Sequence, residues 1–274
     1  MSEKFKFGIV VDVVPLNVIS KEYEYFEVPA SIHASAILCD TEWEEQKALY
    51  VKDGRPCMTT SHLLGPGTTW MGACGPLYNR DVIIFALEKE FKRLNELGCK
   101  YIGCWGGHFH CPPGFDRAKA IDQAISTINI MADYAEMYGM EIALEPEADP
   151  NTLFPRYLEG VEFAKMTGRR SVKVMADLNY FLELDQPLED ILKYPEYCIN
   201  VHIQGDGGAQ PNVGKREEIL THLFSVLKEI NYTKGVSIAC PWVSTNGKEE
   251  VDFKYETDKT IEYVKAIRDK VYGE

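Results

Sequence analysis

Eight short apolar runs, each followed by a stretch of helical periodicity, constrain this chain more than any other feature. The runs cover residues 7–11, 25–28, 57–60, 101–105, 141–145, 172–177, 198–203 and 235–240. Between them, apolar residues recur every three or four positions. Ile83, Ile84, Leu87, Phe91 and Leu94 precede Gly98, and Ala120, Ala124, Ile128, Met131 and Ala135 precede Gly139. That recurrence places the side chains on one helical face, and the glycines suit a left-handed helix C-terminus. Asn79 or Asp81 can cap the first of these helices. The helical stretches of the second and third units are less regular. Alternating strand and helix imply parallel strands joined by right-handed crossovers. Eight such units in ~250 residues suit a (β/α)8 TIM barrel, an α/β fold. A doubly wound open sheet would favour a glycine-rich phosphate loop after the first strand, and Val11-Asp12-Val13-Val14-Pro15 has no glycine. With no linker or low-complexity tract, residues 1–274 are expected to form a single TIM-barrel domain.

Charge narrows the partners. The chain carries 29 basic and 42 acidic side chains, a formal charge of −13, which repels a phosphate backbone. Nucleic acid is therefore not an expected partner. No window reaches the ~20 uninterrupted apolar residues of a membrane span, so no membrane partner is expected either. The N-terminus lacks the long apolar centre of a signal peptide. The eight cysteines are scattered and form no CxxC pair. Reduced thiols in a cytoplasmic protein are the expectation. The sequence leaves open whether copies assemble into a homo-oligomer.

In a barrel of this kind, chemistry sits where the strands end and the βα loops converge. Glu145 closes the fifth run, Asp177 closes the sixth, and His202 lies near the end of the seventh. Any one alone reads as a helix cap or a hydrogen-bonded core histidine. Three on consecutive strands at the same end read as a divalent-metal site. Two carboxylates and an imidazole suit Mn2+ best, with Mg2+ or Co2+ as alternatives, over a thiolate-seeking metal. Trp105 and His108 lie in a glycine-containing loop after strand four, and His62 and Trp70 follow strand three. These are candidate pocket residues for a small ligand, since indole faces pack on apolar C–H groups and loop imidazoles offer hydrogen bonds. Glu147 and Gln204 are candidates for binding substrate hydroxyls, and Asn179 and Trp242 are placed to line the same pocket. His108 and His110 with Cys104 or Cys111 match no zinc spacing. Glu27 closes strand two, as a pocket residue or as half of a salt bridge inside the barrel mouth.

Leu144-Glu145-Pro146, Val174-Met175-Ala176-Asp177 and Val201-His202-Ile203 together resemble the xylose-isomerase-like TIM barrels. Each motif is short; their order and strand placement carry the resemblance, which runs from the first strand to the last helix. That superfamily holds sugar and sugar-phosphate isomerases and epimerases, inosose dehydratases and endonuclease IV repair enzymes. The resemblance implies a divalent ion held by glutamate, aspartate, histidine and a second glutamate on strands five to eight. Glu145, Asp177 and His202 match the first three. The fourth departs: Ser237-Ile238 is followed by Ala239, and a methyl group neither ligates a metal nor moves a proton. Either a carboxylate has been removed from an otherwise complete site, or another group, Cys240 or a loop residue, serves instead. Strand alternation points Cys240 away from the side that position 239 faces.

The implied activity is metal-dependent isomerisation or epimerisation of a small sugar or polyol derivative through an enediolate. Glu145 would be one proton-transfer carboxylate and position 239 the place of the other. Loss of a β-hydroxyl from the same enediolate would instead make a lyase or dehydratase acting on an inosose- or keto-sugar-like substrate. Ala239 also admits a non-catalytic sugar-binding relative. DNA repair fits poorly with six histidines in all and a charge of −13.

Overall fold

A computed structural model describes residues 3–64 and 72–273. Eight strands run in the order β1 (Lys6–Val10), β2 (Tyr25–Pro29), β3 (Cys57–Ser61), β4 (Tyr101–Trp105), β5 (Glu141–Glu145), β6 (Val172–Asp177), β7 (Cys198–Ile203) and β8 (Gly235–Ile238). They close into a barrel in sequence order, every pair parallel, with β8 returning to β1 through Phe7–Val236 and Ile9–Ile238 pairing. The (β/α)8 expectation is met.

The helices are α1 (Ala30–His33), α2 (Asp40–Asp53), α3 (Arg80–Leu97), α4 (Arg117–Tyr138), α5 (Tyr157–Met166), α6 (Leu178–Glu183), α7 (Asp190–Lys193), α8 (Glu217–Glu229) and α9 (Phe253–Tyr272). The Asn79 side chain accepts from the amides of Asp81 and Val82 to start α3, and Asp116 does the same at α4 with Ala118 and Lys119. Gly98 and Gly139, at φ 82° and 66°, end those two helices.

Alternation along each strand sorts the side chains into two environments. Phe7, Ile9, Ile102, Ile142, Leu144, Val174, Val201 and Val236 are buried in one large apolar cluster with the helices. A separate small cluster of Ala143, Met175 and Ile199, with Tyr101 against it, fills part of the barrel interior. One extra residue in β7 shifts its register against β6, from Val174–Cys198 to Met175–Asn200. Bulges of this kind re-aim side chains. Ile199 joins the interior cluster, while Asn200 and His202 bond to Glu27 across the barrel.

β8 stops at Ile238, two residues before the apolar run suggested. Ile238 is the last residue to pair with both β1 and β7, and Pro241, which has no N–H to donate, follows shortly. Ala239 and Cys240 therefore sit on the rim and line the cavity at the barrel mouth. Among the described residues, no helix is long and apolar enough to cross a membrane.

Candidate metal centre and pocket

The interior becomes polar toward the strand ends. Glu27, fully buried, accepts hydrogen bonds at Oε2 from Thr59 Oγ1 (2.8 Å), Ser237 Oγ (2.6 Å) and Asn200 Nδ2 (3.2 Å). Its Oε1 lies 2.7 Å from His202 Nε2. Glu27 is thus the salt-bridge residue inside the barrel mouth, and its partner is the candidate metal ligand. Burial alone would raise its carboxyl, but the His202 charge and the hydrogen bonds from His202, Ser237 and Thr59 hold it below its ordinary value.

Fixing Nε2 turns the other ring nitrogen toward the two remaining candidates. His202 Nδ1 is 3.3 Å from Glu145 Oε1 and 3.5 Å from Asp177 Oδ2. One ligand atom from each of the three residues lies within 4.8 Å of the others. Among the described residues this is the one such set; His108 and His110 with Cys104 or Cys111 form no second one. Burial disfavours a charged imidazole, yet the Glu27 charge and hydrogen bonds to Asp177, Glu145 and Glu27 raise His202 well above its ordinary value. Burial raises the Glu145 carboxyl; His202 works against that and the like charge of Asp177 adds to it.

Asp177 has two duties. Its Oδ1 accepts from the amides of Asn179 (2.8 Å) and Tyr180 (3.4 Å), capping α6. Its Oδ2, the atom facing His202, also accepts from Gln204 Nε2 at 2.8 Å. The helix-cap reading and the ligand reading therefore concern different oxygens of one carboxylate. The donor set suits a divalent cation: two carboxylates and a neutralisable imidazole whose far nitrogen is held by another carboxylate.

The cavity above this triad has a volume of about 380 Å³, within the range of small-ligand sites. His62, Trp105 and Gln204 line it together with Asp12, Asn179, Tyr180 and Ala239. Three other pocket candidates, His108, Glu147 and the buried Trp242, stand off its wall. Residues 106–109 form a tight turn that sets the His108 ring edge-on to Trp105, with centroids 5.4 Å apart. There His108 Nε2 is buried without a partner, and burial, with His62 and His110 nearby, lowers its pKa to about 4. Glu147 turns to His110 Nε2 (3.1 Å) and accepts from Thr152 Oγ1 (3.3 Å). Trp70 lies outside the described residues. Cys240 lines the cavity, but burial and then the Asp12 charge push its thiol far up, so it offers no thiolate.

Residues 22–267 match the family described as Xylose isomerase-like TIM barrel, and the chain belongs to that family. It is 26% identical over 191 residues to a D-psicose 3-epimerase of Agrobacterium fabrum, a match covering 66% of this chain and 65% of that protein. A crystal structure of D-psicose 3-epimerase in the presence of D-fructose shares the fold at a TM-score of 0.75, with 21% identity, covering 98% of this chain and 100% of that one. A 3-keto-D-glucoside 4-epimerase from E. coli superposes at a TM-score of 0.74 with 17% identity, covering 97% of this chain and 99% of the other. The chain is therefore a family member with a buried Glu/Asp/His triad able to hold a metal ion.

Proposed function

We propose that this protein is a divalent-metal-dependent isomerase or epimerase acting on a small sugar or polyol derivative through an enediolate. The observation that carries the reading is the convergence of Glu145, Asp177 and His202 at the floor of a cavity of monosaccharide size. The distant similarity to a D-psicose 3-epimerase supports it. Glu145, Asp177 and His202 Nδ1 would hold the ion, Mn2+ by preference, and Mg2+ or Co2+ by the same chemistry. When bound, the ion supplies Lewis-acid polarisation of a sugar carbonyl. Glu27 keeps His202 in the orientation that presents Nδ1, and Gln204 does the same for Asp177 Oδ2. Trp105 offers an indole face to sugar C–H groups, and His62 offers polar ring atoms to hydroxyls. Glu145 moves a proton at the carbon next to the carbonyl. Ala239 occupies the cavity wall where the family pattern carries a second carboxylate, and it limits activity accordingly.

Ala239 favours one second reading, a sugar-binding relative that does not turn its ligand over. Incubating the Mn2+-loaded protein with D-fructose, D-psicose, a 3-keto-D-glucoside and an inosose, with product analysis by NMR, decides between them. Interconversion of ketose or keto-sugar epimers or isomers supports the enzyme. Loss of water marks a dehydratase. Saturable binding without conversion, even in Ala239→Glu, supports the second reading.

A further inference from the structure

His62 is the one pocket-lining histidine outside the triad, and its circumstances are unusual. It follows directly on β3, and its backbone sits at φ 53°, the left-handed region uncommon outside glycine, although histidine enters it more readily than most residues. Strain of this kind persists where the surroundings over-determine it, and it clusters at functional sites. The ring lies edge-on to Trp105, with centroids 6.5 Å apart. Nδ1 is buried without a hydrogen bond. Buried polar atoms are normally paired, so a half-buried imidazole with an unpaired ring nitrogen on the wall of a cavity calls for a ligand. Glu145 lies on the wall of the same cavity.

Position on the rim adds to this. Around the closed barrel, β3 lies two strands from β5, which carries Glu145, and three from β8, which leads to Ala239. A group at the end of β3 therefore approaches a bound sugar from a direction that neither Glu145 nor position 239 covers. We propose that His62 is the second proton-transfer residue of this site, supplying with its imidazole the acid–base function that the methyl of Ala239 lacks. The inference rests on the isomerase or epimerase reading given above. In one direction, the Nε2 lone pair takes a proton as a C–H bond next to the carbonyl breaks. The bond's electron pair passes into the enediolate, and His62 becomes an imidazolium. Protonated Glu145 then delivers its proton to carbon from its own side and is left as a carboxylate. Exchange of one proton with water resets both groups, so no oxidant or further reactant is needed.

The test uses His62→Asn, which tolerates the left-handed backbone, and His62→Gly, which opens room for free imidazole. Both should bind Mn2+ as the unsubstituted protein does, by titration calorimetry. With the sugar pair that the unsubstituted protein interconverts, conversion should fall at least about 100-fold. In D2O, both variants should still exchange solvent deuterium into the one sugar that Glu145 deprotonates. Added imidazole should restore conversion to His62→Gly alone. Full conversion by His62→Asn would overturn the proposal and leave the isomerase reading standing. Weakened Mn2+ binding in both variants, with no imidazole rescue, would make His62 a structural residue and also overturn it. No conversion of any probe by the unsubstituted protein would overturn the isomerase reading itself, and this proposal with it.

Discussion

Glu27 shows how much one buried carboxylate can organise. Four side chains from β3, β7 and β8 donate to it, and one of them is His202. Removing the charge while keeping the shape, in Glu27→Gln, should leave the barrel folded but release the tautomer control on His202. We expect a 10–100-fold loss of Mn2+ affinity by calorimetry, the range for residues that orient a metal ligand. Glu27→Ala should go further, costing about 3 kcal/mol or more of stability, because it strands several buried donors at once. The linkage has a definite sign. Glu27 is held below its ordinary value, so its contribution is present above the usual carboxylate range and is lost as pH falls through the lowered value. His202 is raised, so its contribution is complete below about 6.5 and is lost as pH rises through the raised value. Ala239→Glu belongs at the same scale. It should raise Mn2+ affinity and, because a carboxylate in the family's own position outperforms the His62 stand-in, turnover as well, and Glu145→Gln in that background should abolish the gain in turnover, both measured on the sugar pair found by product analysis. A slower Ala239→Glu enzyme would mean that the present side chains already make a complete set.

At the level of elements, most of the architecture was readable because it is written in periodicity. The strands at 101–105, 141–145, 172–177 and 198–203 have the bounds that their apolar runs suggest, and the caps at Asn79 and Gly98 follow from residue type. Glu145, Asp177 and His202 could be found because each closes or nearly closes such a run. The pairing of Glu27 with His202 could not, since 175 residues separate them and no local pattern records which strands face each other across a barrel. His108 and Glu147 do not line the cavity, for a related reason. A turn at 106–109 and the chain after Pro146 rotate side chains in ways that period-2 counting does not follow. Glu90 falls on the same helical stripe as Ile83, Ala86, Leu87 and Leu94, where periodicity alone dictates burial. It is fully buried on α3 and neither oxygen has a hydrogen bond of good geometry. Burial raises its pKa to about 7, opposed in part by the Ala36 and Leu64 amides and by Arg93. A raised carboxyl stabilises the fold below about 4.5 and loses that contribution as pH climbs through about 7. Glu90→Gln should therefore be nearly neutral at pH 5 and stabilise the protein at pH 8 by on the order of 1–3 kcal/mol. Denaturant melts at the two pH values measure this directly, and equal shifts at both would contradict it.

Over the whole molecule, the barrel interior runs from apolar side chains at Tyr101, Ala143, Met175 and Ile199 to an acidic, imidazole-bearing mouth. The surrounding cluster of apolar residues makes the frame insensitive to changes at that mouth. Metal loading should therefore appear as a global gain in stability without a change of fold. At 100 times the dissociation constant, Mn2+ should add about 2.7 kcal/mol, seen as a rise in Tm that EDTA reverses. Asp177→Asn should melt at the same temperature with and without Mn2+. A Tm indifferent to Mn2+ in the unsubstituted protein would remove the ion from the mechanism.

The hub at Glu27 has a further consequence, for how the chain comes to be folded. Its partners lie at positions 59, 200, 202 and 237, so they span most of the polypeptide. Closing such distant loops is slow, and contacts of that separation are rewarded late. During synthesis, Glu27 leaves the ribosome long before Ser237 exists to meet it. For that interval a chain with a nearly complete core would still hold a central carboxylate one donor short. The Glu27 hub that orients the candidate site is thus completed by the last turn of the barrel, when β8 joins β1 and brings Ser237 to it.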